Sequence, residues 1–421
     1  MFTLIFNLKK VNLILIKMAG KTQLYRKKII NHLYFSKVLS CAEVSEKIEK
    51  SLSLTTKILN ELVEDGYVIE TGHAPSSGGR RPQMYSLKPD IMYIVSVAMD
   101  QFVTRLVVMD MQNQHIGKIE SLELNLANNP QALDIVTDKI NEVIEKSGIP
   151  KNKIAGIGIS MPGFIDAKEG INYSFLENHQ GTITSFIENK TGIPVFIDND
   201  SSLIALAELK FGAARNKKNV VVINVGWGIG LGMILNNTLF RGDDGFAGEF
   251  SHIPLFQNGK LCSCGKSGCL ETEAALTAVI EKGLVGLTSG RTSILKKSVL
   301  EVSGPESAAD AIIAAAAKGD RFAVELLSEA GYNIGRGIAI LIHLLNPGLV
   351  VLSGRGSSSG KILQAPIQQA LNEHCIPRLA ANTEIIISDL GHEAQLIGGA
   401  ALVMEKYEKG LTRKNKIQEA A

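Results

Sequence analysis

Residues 245–272 read GFAGEFSHIPLFQNGKLCSCGKSGCLET and form the most informative stretch of the chain. Within it stand one histidine and three closely spaced cysteines: His252, Cys262, Cys264 and Cys269. Thiolate and imidazole are ligands that suit tetrahedral Zn²⁺, and two glycines among the cysteines allow a short loop to turn the sulfurs inward. The spacing predicts a structural zinc site formed by these four side chains. A disulfide with one spare thiol is the alternative.

Two carboxylates flank the cysteines, Glu249 and Glu271, and His252 lies between them in sequence. A metal that holds this loop would also fix the positions of these three side chains. The pattern therefore favours a polar ligand site next to the metal. Two solvated glutamates are the alternative interpretation.

The order of these residues resembles the signature of the ROK family, which groups bacterial sugar kinases with sugar-responsive repressors. The matching elements are AGE at 247–249, His252, and CxCGxxGCxE at 262–271. The resemblance implies the two-lobed, actin-like ATPase fold of sugar kinases, and it covers Ile91 to about Tyr407. The pattern at 245–272 does not distinguish a kinase from a repressor.

The length and the charge distribution of the chain limit the number of domains and the kind of partner that it can have. With 421 residues and 45% hydrophobic content, the chain can form two or three domains with real cores. Residues 1–90 carry 14 Lys or Arg against 8 Asp or Glu, about +6, whereas the rest carries 30 against 34, about −4. The basic front end favours contact with a polyanion, and an ordinary solvated surface is the alternative.

The first residues, MFTLIFNLKKVNLILIK, are apolar but interrupted by Asn7, Lys9 and Lys10. No apolar run approaches the roughly 18 residues of a membrane span, and no small-residue cleavage site follows. We expect residues 1–20 to be a disordered leader, with Met18 an alternative start, and residues 411–421 to be a flexible tail. We therefore expect a cytoplasmic protein without a membrane partner and with reduced cysteines.

Three short helices are predicted near the front of the chain. The first spans Tyr25–Tyr34, the second begins at Ser40 with a capping box to Glu43, and the third runs from about Ser53 to Glu64. Such a pair of consecutive helices is typical of a helix–turn–helix whose last helix enters a DNA major groove. Its predicted outer face, which would reach phosphate or base edges, consists of Ser53, Thr55, Thr56, Lys57 and Asn60.

A predicted hairpin follows, with strands YVIET and MYSLK joined by PSSGGRRPQ. The turn carries Arg80 and Arg81, which can contact phosphate or a minor groove. Residues 21–90 are thus predicted to form a winged helix–turn–helix that binds double-stranded DNA, and the GGRRP turn also resembles the ROK repressors. A small hairpin domain for protein contacts is the alternative.

From Ile91 onward, strand pairs alternate with helices and further strands, which predicts a duplicated α/β domain over residues 91–410. In the family's kinases, an Asp-x-Gly-Gly-Thr loop brings backbone N–H groups to the phosphates of ATP. The corresponding positions here are Ala98, Met99, Asp100, Gln101 and Phe102. In the second phosphate loop, Gly226 to Gly230, Trp227 replaces a small hydroxyl residue, and later Arg355 stands between two glycines. The resemblance thus predicts that productive ATP binding is lost.

The sugar half of the cleft is largely retained. The resemblance implies that Asn199 and Asp200 bind adjacent hydroxyls, and in the kinases the Asp is the general base. Ser202 stands where the family usually has Asn, so the fine specificity differs. Asn199 and Asp200 could instead simply cap a helix. The predicted sugar-binding residues are Gly163, Asn199, Asp200, Glu249, His252 and Glu271.

These features together predict a sugar-responsive transcriptional regulator, a repressor without catalytic activity. Its effector would be a hexose, an N-acetylhexosamine, or a related sugar or sugar phosphate. We expect a homodimer or a dimer of dimers, in which the effector changes the spacing of two DNA-reading units. The alternatives are an ATP-dependent sugar kinase with Asp200 as its base, and a regulator whose signal is a protein docking on the zinc-containing lobe.

Overall fold

The computed structural model describes residues 22–74, 81–176 and 181–408. The expected leader at 1–20, Arg80 and the expected tail at 411–421 lie outside these residues. The front unit contains α1 (22–36), β1 (Val38–Ser40), α2 (Cys41–Lys47), α3 (Leu52–Glu64), β2 (Val68–His73) and β3 (Gln83–Leu87). The three strands form an antiparallel sheet in the order β1–β3–β2.

The starts of α2 and α3 are set by serine caps. Ser40 and Glu43 form the predicted capping box at α2, and the Ser51 hydroxyl accepts a hydrogen bond from the backbone N–H of Leu54 at α3. Helix α3 buries Ile58, Leu59 and Leu62. Strand β1 was not predicted, because three residues are too few to show a periodic pattern.

The prediction that Thr55 lies on the outer face of α3 is wrong. Thr55 is fully buried, and its hydroxyl donates to the backbone carbonyl of Ser51 at 3.0 Å. The helix begins at Leu52, one residue earlier than predicted. Thr55 is one helical turn from Ser51 and three residues before the buried Ile58, so it belongs to the inward stripe of the helix.

The first lobe is a five-stranded sheet in the order β10–β7–β4–β5–β6. The neighbours β10, β7 and β4 are parallel, whereas β5 and β6 are antiparallel additions. Its elements are β4 (Tyr93–Met99), β5 (Val103–Met109), β6 (His115–Glu123), α4 (Ala132–Ser147), β7 (Ile154–Met161), the hairpin β8 (Ile165–Asp166) and β9 (Ile171–Asn172), α5 (Ile183–Thr191) and β10 (Val195–Asn199). The edge strand β6 was missed because it is half exposed and its hydrophobic pattern is weak.

The second lobe repeats this plan with a sheet in the order β13–β12–β11–β14–β15. Its elements are α6 (Asp200–Lys210), β11 (Val220–Val225), β12 (Ile229–Leu235), β13 (Thr238–Phe240), α7 (Glu271–Ala274), α8 (Leu276–Thr288), α9 (Lys297–Val302), α10 (Gly304–Ala317), α11 (Arg321–Leu345), β14 (Leu349–Ser353), α12 (Lys361–His374), α13 (Pro377–Ala380), β15 (Glu384–Ile387) and α14 (Ala394–Glu408). The duplicated α/β architecture matches the prediction.

Helices α6 and α14 pack against each other between the two sheets. Two adjacent glycines make this contact close. A Cβ atom at Gly398 would lie 2.1 Å from the carbonyl oxygen of Leu203 on α6, and one at Gly399 would lie 2.5 Å from Ser96 Oγ on β4. The two lobes therefore meet through backbone that only glycine permits to approach.

The front unit shares a hydrophobic core with the first lobe and with α14. Ile29 and Leu33 of α1 belong to the same buried cluster as Met109 and Met404. Asn31 Nδ2 also donates to the backbone carbonyl of Met404 at 2.6 Å. The domain boundary near residue 90 stays a prediction, because the buried cluster continues across it. Among the described residues, no helix is both long and apolar enough to cross a membrane.

Candidate functional site

A cavity of about 480 Å³ lies between the lobes, where the loops after β4, β7, β10, β11 and β14 meet. Ligand sites of α/β proteins commonly lie at such carboxyl ends of strands. All six residues predicted to contact a sugar line it, namely Gly163, Asn199, Asp200, Glu249, His252 and Glu271. The fold thus brings together residues that are up to 108 positions apart in sequence, from Gly163 to Glu271.

Asn199 caps helix α6. Its Oδ1 accepts hydrogen bonds from the backbone N–H groups of Ser201 and Ser202, at 3.0 and 3.2 Å, and its Nδ2 donates to the carbonyl of Gly163 at 3.2 Å. The capping role that was the alternative interpretation is therefore present. The same hydrogen bonds tie the loop after β7 to the start of α6, so Asn199 holds two walls of the cavity together.

Asp200, the first residue of α6, directs its carboxylate into the cavity. Its Oδ1 accepts from the backbone N–H of Ser201 at 2.7 Å, and its Oδ2 lies 3.4 Å from Asn224 Nδ2. Burial raises the pKa of Asp200 from 3.8 to about 6, and the negative charges of Asp100 and Glu249 add to this shift. Such a carboxylate can act as a hydrogen-bond acceptor for hydroxyls or as a general base.

Gly163 adopts a left-handed conformation with φ +96°, and a Cβ atom there would lie 2.6 Å from Ser174 Cβ. Asn172 holds this loop, since its Nδ2 donates to the carbonyl of Pro162 and its Oδ1 accepts from the N–H groups of Ser174 and Phe175. Asn172 therefore supports the loop that carries Gly163. It also places Ser174 and Phe175 in the cavity wall.

His252 faces the cysteines with one ring nitrogen and the cleft with the other. Its Nδ1 lies 3.5 Å from Cys262 Sγ, and its Nε2 lies 3.8 Å from Glu249 Oε2. Partial burial raises the pKa of Glu249, an effect that the nearby imidazole opposes. Glu271 lies against the second glycine loop, because a Cβ atom at Gly228 would be 2.6 Å from Glu271 Oε2.

The four predicted metal ligands form one cluster. The ligand atoms of His252, Cys262, Cys264 and Cys269 all lie within 4.8 Å of one another. Donors about 2.3 Å from a tetrahedral centre are about 3.8 Å apart, and Cys264 Sγ and Cys269 Sγ are separated by 3.7 Å. This distance excludes a disulfide, and all the cysteines are free. The donor set and spacing fit a metal ion such as Zn²⁺.

The loop that carries these sulfurs turns at two glycines. Gly265 and Gly268 have φ values of +83° and +78°, and a Cβ atom at Gly268 would lie 2.0 Å from the carbonyl oxygen of Phe256. Two isolated antiparallel β-bridges close the loop, one between Pro254 and Cys269 and one between Leu261 and Ser267. The predicted inward turn of the cysteines therefore depends on both glycines.

At the position of the first phosphate loop, Asp100 uses the available backbone donors itself. Its Oδ1 accepts from the N–H groups of Phe102 and Val103, at 2.8 and 2.7 Å. Its other oxygen lies 3.7 Å from Arg105 Nη1. A loop whose amides are already paired and whose carboxylate faces the cleft does not favour a triphosphate.

Bulky side chains occupy the same side of the cleft. Trp227 is buried and meets Phe102 edge to face, with ring centroids 5.4 Å apart. Glu306 on α10 pairs with both Arg105 of the first lobe and Arg355 of the second, and Arg355 Nη1 also donates to Asp310 Oδ1 at 2.7 Å. Sequence reasoning noted Trp227 and Arg355 but missed this ion-pair cluster, whose members are up to 250 residues apart.

The predicted DNA-facing residues divide into three groups. Ser53, Thr56, Lys57 and Asn60 are exposed on α3, and Arg81 is exposed before β3. Thr55 is buried, as described above, and Arg80 lies outside the described residues. Ser53, Lys57 and Asn60 follow a spacing of four and three residues, so they share one helix face.

The family model of ROK proteins matches residues 107–406, which is more than half of the chain. The chain belongs to the ROK family. Among its ROK relatives, the xylose repressor of Bacillus spizizenii is 30% identical over 393 residues, covering 91% of this chain and 97% of that protein. A glucokinase of Halalkalibacterium halodurans is 35% identical over 291 residues, covering 66% of this chain and 86% of the kinase.

The crystal structure of a ROK family transcriptional regulator, a homologue of the Escherichia coli MLC protein, has the same fold. It superimposes with a TM-score of 0.74 at 26% identity, covering 92% of this chain and 98% of the regulator. A match over nine-tenths of this ROK protein must include part of its front unit, whereas the glucokinase match leaves a third of the chain uncovered. These relatives support the repressor branch of the family.

Proposed function

We propose that this ROK protein is a sugar-responsive transcriptional repressor. The observation that supports the proposal is the difference between the two sides of the cleft, the sugar side and the phosphate side. All predicted sugar contacts line the cavity, while on the phosphate side Asp100 pairs with its own loop and Trp227 packs on Phe102. A cleft of this kind supports sugar binding without phosphoryl transfer. The front unit would then bind DNA and so convert sugar binding into a change in transcription.

We propose that the cleft binds one pyranose ring of a hexose, an N-acetylhexosamine or a related sugar. Asp200 and Glu271 accept hydrogen bonds from its hydroxyls, and the backbone at Gly163 approaches it closely. Glu249 and His252 complete the polar wall. A polar ligand must regain the hydrogen bonds that it loses with water, and this wall offers both donors and acceptors.

The kinase alternative has one observation in its favour, namely the raised pKa of Asp200, which suits a general base. It is tested by incubating the purified protein with ATP, Mg²⁺ and a panel of hexoses and N-acetylhexosamines. The repressor proposal expects no turnover above background. Sugar phosphorylation that Asp200→Asn abolishes would establish the kinase instead.

We propose that His252, Cys262, Cys264 and Cys269 hold a structural Zn²⁺ ion. The donor set has no open position for a reactant, so the ion would supply rigidity and not catalysis. With Nδ1 assigned to the metal, the Nε2–H of His252 is a donor that faces Glu249. The metal loop thereby positions sugar-binding side chains on both sides of the cysteines.

We propose that residues 21–90 are a winged helix–turn–helix, with α3 as the recognition helix and the β2–β3 hairpin as the wing. Ser53, Thr56, Lys57 and Asn60 would face the major groove, and Arg80 and Arg81 the adjacent backbone or minor groove. Because such units read half-sites, we further propose a homodimer that binds a palindromic operator.

Helix α6 offers a route from the cleft to the DNA-binding unit. Its first residue is Asp200, and residues Ser201–Leu209 are all buried. We therefore expect the helix to move as one body. At its far end, about 16 Å away by helical rise, the Phe211 ring lies 5.7 Å from Tyr34 and 5.8 Å from Phe35 of α1. Sugar binding at the first end of α6 can therefore displace α1 and the proposed DNA-binding unit at the other end. This displacement would weaken the affinity for the operator.

The proposal is tested by mapping the genomic sites that the purified protein protects, followed by gel-shift titration on one site. The expected result is specific binding that one sugar of a panel weakens by at least about tenfold. Binding to no duplex DNA at low salt would contradict the proposed repressor. Operator binding that no sugar changes would contradict only the sugar response.

A further inference from the structure

A second cavity, of about 880 Å³, adjoins the sugar cleft. Its walls are the β8–β9 hairpin of the first lobe and residues 239–246 of the second lobe. Phe164, Gly245 and Phe246 line both cavities. The two spaces therefore share a boundary, and each has a volume in the range of about 300–1,000 Å³ that is usual for small-molecule sites.

Four aromatic side chains line the second cavity, namely Phe164, Tyr173, Phe240 and Phe246, and the first and last of them also line the sugar cleft. Phe246 meets Phe164 and Tyr173 edge to face, with ring centroids 5.9 and 6.1 Å apart. Phe164, Phe240 and Tyr173 are nevertheless 40%, 44% and 62% exposed. Exposed apolar side chains that cluster beside a cavity mark a binding surface. A flat ring offers a packing surface to the apolar face of a sugar while its surroundings remain wet.

The charged groups of the second cavity disfavour an anionic ligand, because the carboxylates of Asp166, Asp243 and Asp244 outnumber the exposed ammonium group of Lys168. Asp243 and Asp244 are exposed at its edge, and Asp166 uses Oδ1 to hold the N–H groups of Lys168 and Glu169. Arg241 directs both Nε and Nη2 to Asp198, at 2.9 and 2.7 Å, so its charge is already paired. The carboxylates repel an anion but accept hydrogen bonds from hydroxyls.

The loop between the cavities is linked to the sugar-binding end of α6. Arg241 begins this loop, and its carbonyl accepts from the N–H of Ala247 at 3.0 Å, which closes the turn that carries Phe246. Its partner Asp198 stands immediately before Asn199 and Asp200. A ligand that spans both cavities would therefore contact one connected set of side chains.

Resting on the proposed function, we propose that the effector is a neutral disaccharide. One ring occupies the cleft at Asp200, and the second ring lies in the adjoining cavity against Tyr173 and Phe240. The boundary residues Phe164 and Phe246 flank the glycosidic linkage. Tyr173 and Phe240 thereby determine the preference for a disaccharide over its monosaccharide.

Calorimetry on the purified full-length protein tests this subsite with matched ligand pairs. The pairs are glucose with cellobiose and maltose, xylose with xylobiose, and N-acetylglucosamine with chitobiose. We expect one disaccharide to bind at least about tenfold more tightly than its monosaccharide. Tyr173→Ala and Phe240→Ala should each reduce that preference about fivefold, with monosaccharide affinity unchanged within about twofold. Tyr173→Phe should retain the preference.

Leu344→Ala is the matched control, since Leu344 is a 74% exposed side chain on α11. A monosaccharide that binds as tightly as every disaccharide would overturn the second subsite and leave the sugar response intact. So would a disaccharide preference that both alanine variants retain. Failure of every sugar to bind would instead contradict the proposed function on which this inference rests.

Discussion

At the residue scale, Asp200 lies in the cleft, in an environment that disfavours its ionised form. Burial is the main cause that raises its pKa to about 6 from 3.8. Between these two pH values the folded protein holds a proton that the unfolded chain has lost, so the stability contributed by Asp200 decreases as pH rises through this window. At neutral pH the ionised carboxylate costs about 3 kcal/mol of folding free energy. A stability cost of this kind is common at functional groups, which agrees with the proposed role of Asp200 in sugar binding.

Asp200→Asn should therefore have opposite effects on stability and on sugar affinity. At pH 7.5 the variant should unfold at a higher temperature than the parent protein, and the difference should shrink at pH 5, where Asp200 is protonated. Its sugar affinity at pH 7.5 should fall by about 10- to 100-fold, because the variant has no charge-assisted acceptor. Thermal melts and calorimetry at both pH values measure these effects. Unchanged sugar affinity would exclude Asp200 from the binding site.

Thr55 and Lys57 make a matched pair on α3, because one is buried and the other exposed. Lys57→Ala should weaken operator binding and make the slope of log K against log salt shallower by about 1, which is the effect of removing one lysine–phosphate ion pair. Thr55→Val conserves volume and removes only a hydroxyl that bonds within the helix, so DNA affinity should change by less than about twofold. Fluorescence anisotropy over a salt series distinguishes them. Equal reductions in affinity for both variants would contradict the assigned recognition face.

At the element scale, the loop at 245–272 is rich in glycine, and apolar packing anchors it on both sides of the cysteines, since Phe250 and Leu270 are buried in the core of the second lobe. Cys262 and Cys269 are buried, whereas Cys264 is partly exposed. Four ligand atoms converge from a span of 18 residues, from His252 to Cys269. We propose that a metal ion adds rigidity to the cysteine-rich part of this loop, which would link metal content to the positions of Glu249 and Glu271.

Cys262→Ala or Cys264→Ala should lower the zinc content and the melting temperature, by roughly 5 °C or more, and weaken the sugar response. Cys375→Ala is the control, since Cys375 is also buried but lies outside the loop. Atomic absorption, thermal melts and sugar titrations provide the three measurements. A soluble Cys262→Ala protein with full sugar response would refute the structural role of the metal.

At the scale of the whole molecule, the front unit, residues 22–87, is joined to the lobes that form the cleft by packed side chains. Lys210 pairs with Glu405 of α14 at 3.3 Å and lies 4.8 Å from the ring centre of Phe35. Tyr34 also donates to Asn113 Oδ1 of the first lobe at 2.5 Å. Together with the hydrogen bond from Asn31 to Met404, these contacts hold α1 against both α6 and α14. A change in the angle between the lobes would therefore be transmitted to α1.

Phe211→Ala should uncouple the two functions. We expect sugar affinity and operator affinity, measured separately, to stay within about threefold of the parent protein, while the ability of sugar to weaken operator binding falls to less than half. Phe186→Ala is the control, because Phe186 is a partly buried aromatic residue of the first lobe. Gel-shift titrations with and without sugar measure the coupling. Full coupling in Phe211→Ala would exclude this route.

Local patterns predicted much of this protein. The central strands and long helices, the capping box of Ser40 and Glu43, and the clustering of His252 with three cysteines all follow from residues close together in sequence. Short-range chemistry determines such features, because caps, turns and metal loops are formed by neighbours. The substitutions at Asp100 and Trp227 were also visible without a structure. Edge strands such as β6 and β13 were not, since partly exposed or very short strands lack a clear hydrophobic period.

The tertiary structure decided what depends on distant residues. It showed that Thr55 is buried on the inner face of α3, whereas the sequence pattern had placed this residue on the outer face. It paired Glu306 with Arg105 and Arg355 across the lobes, and it placed an aromatic cavity beside the cleft. It also packed Phe211 at the end of α6 against α1. Sequence separation carries no information about such contacts, because they arise only when separately folded elements meet in one core.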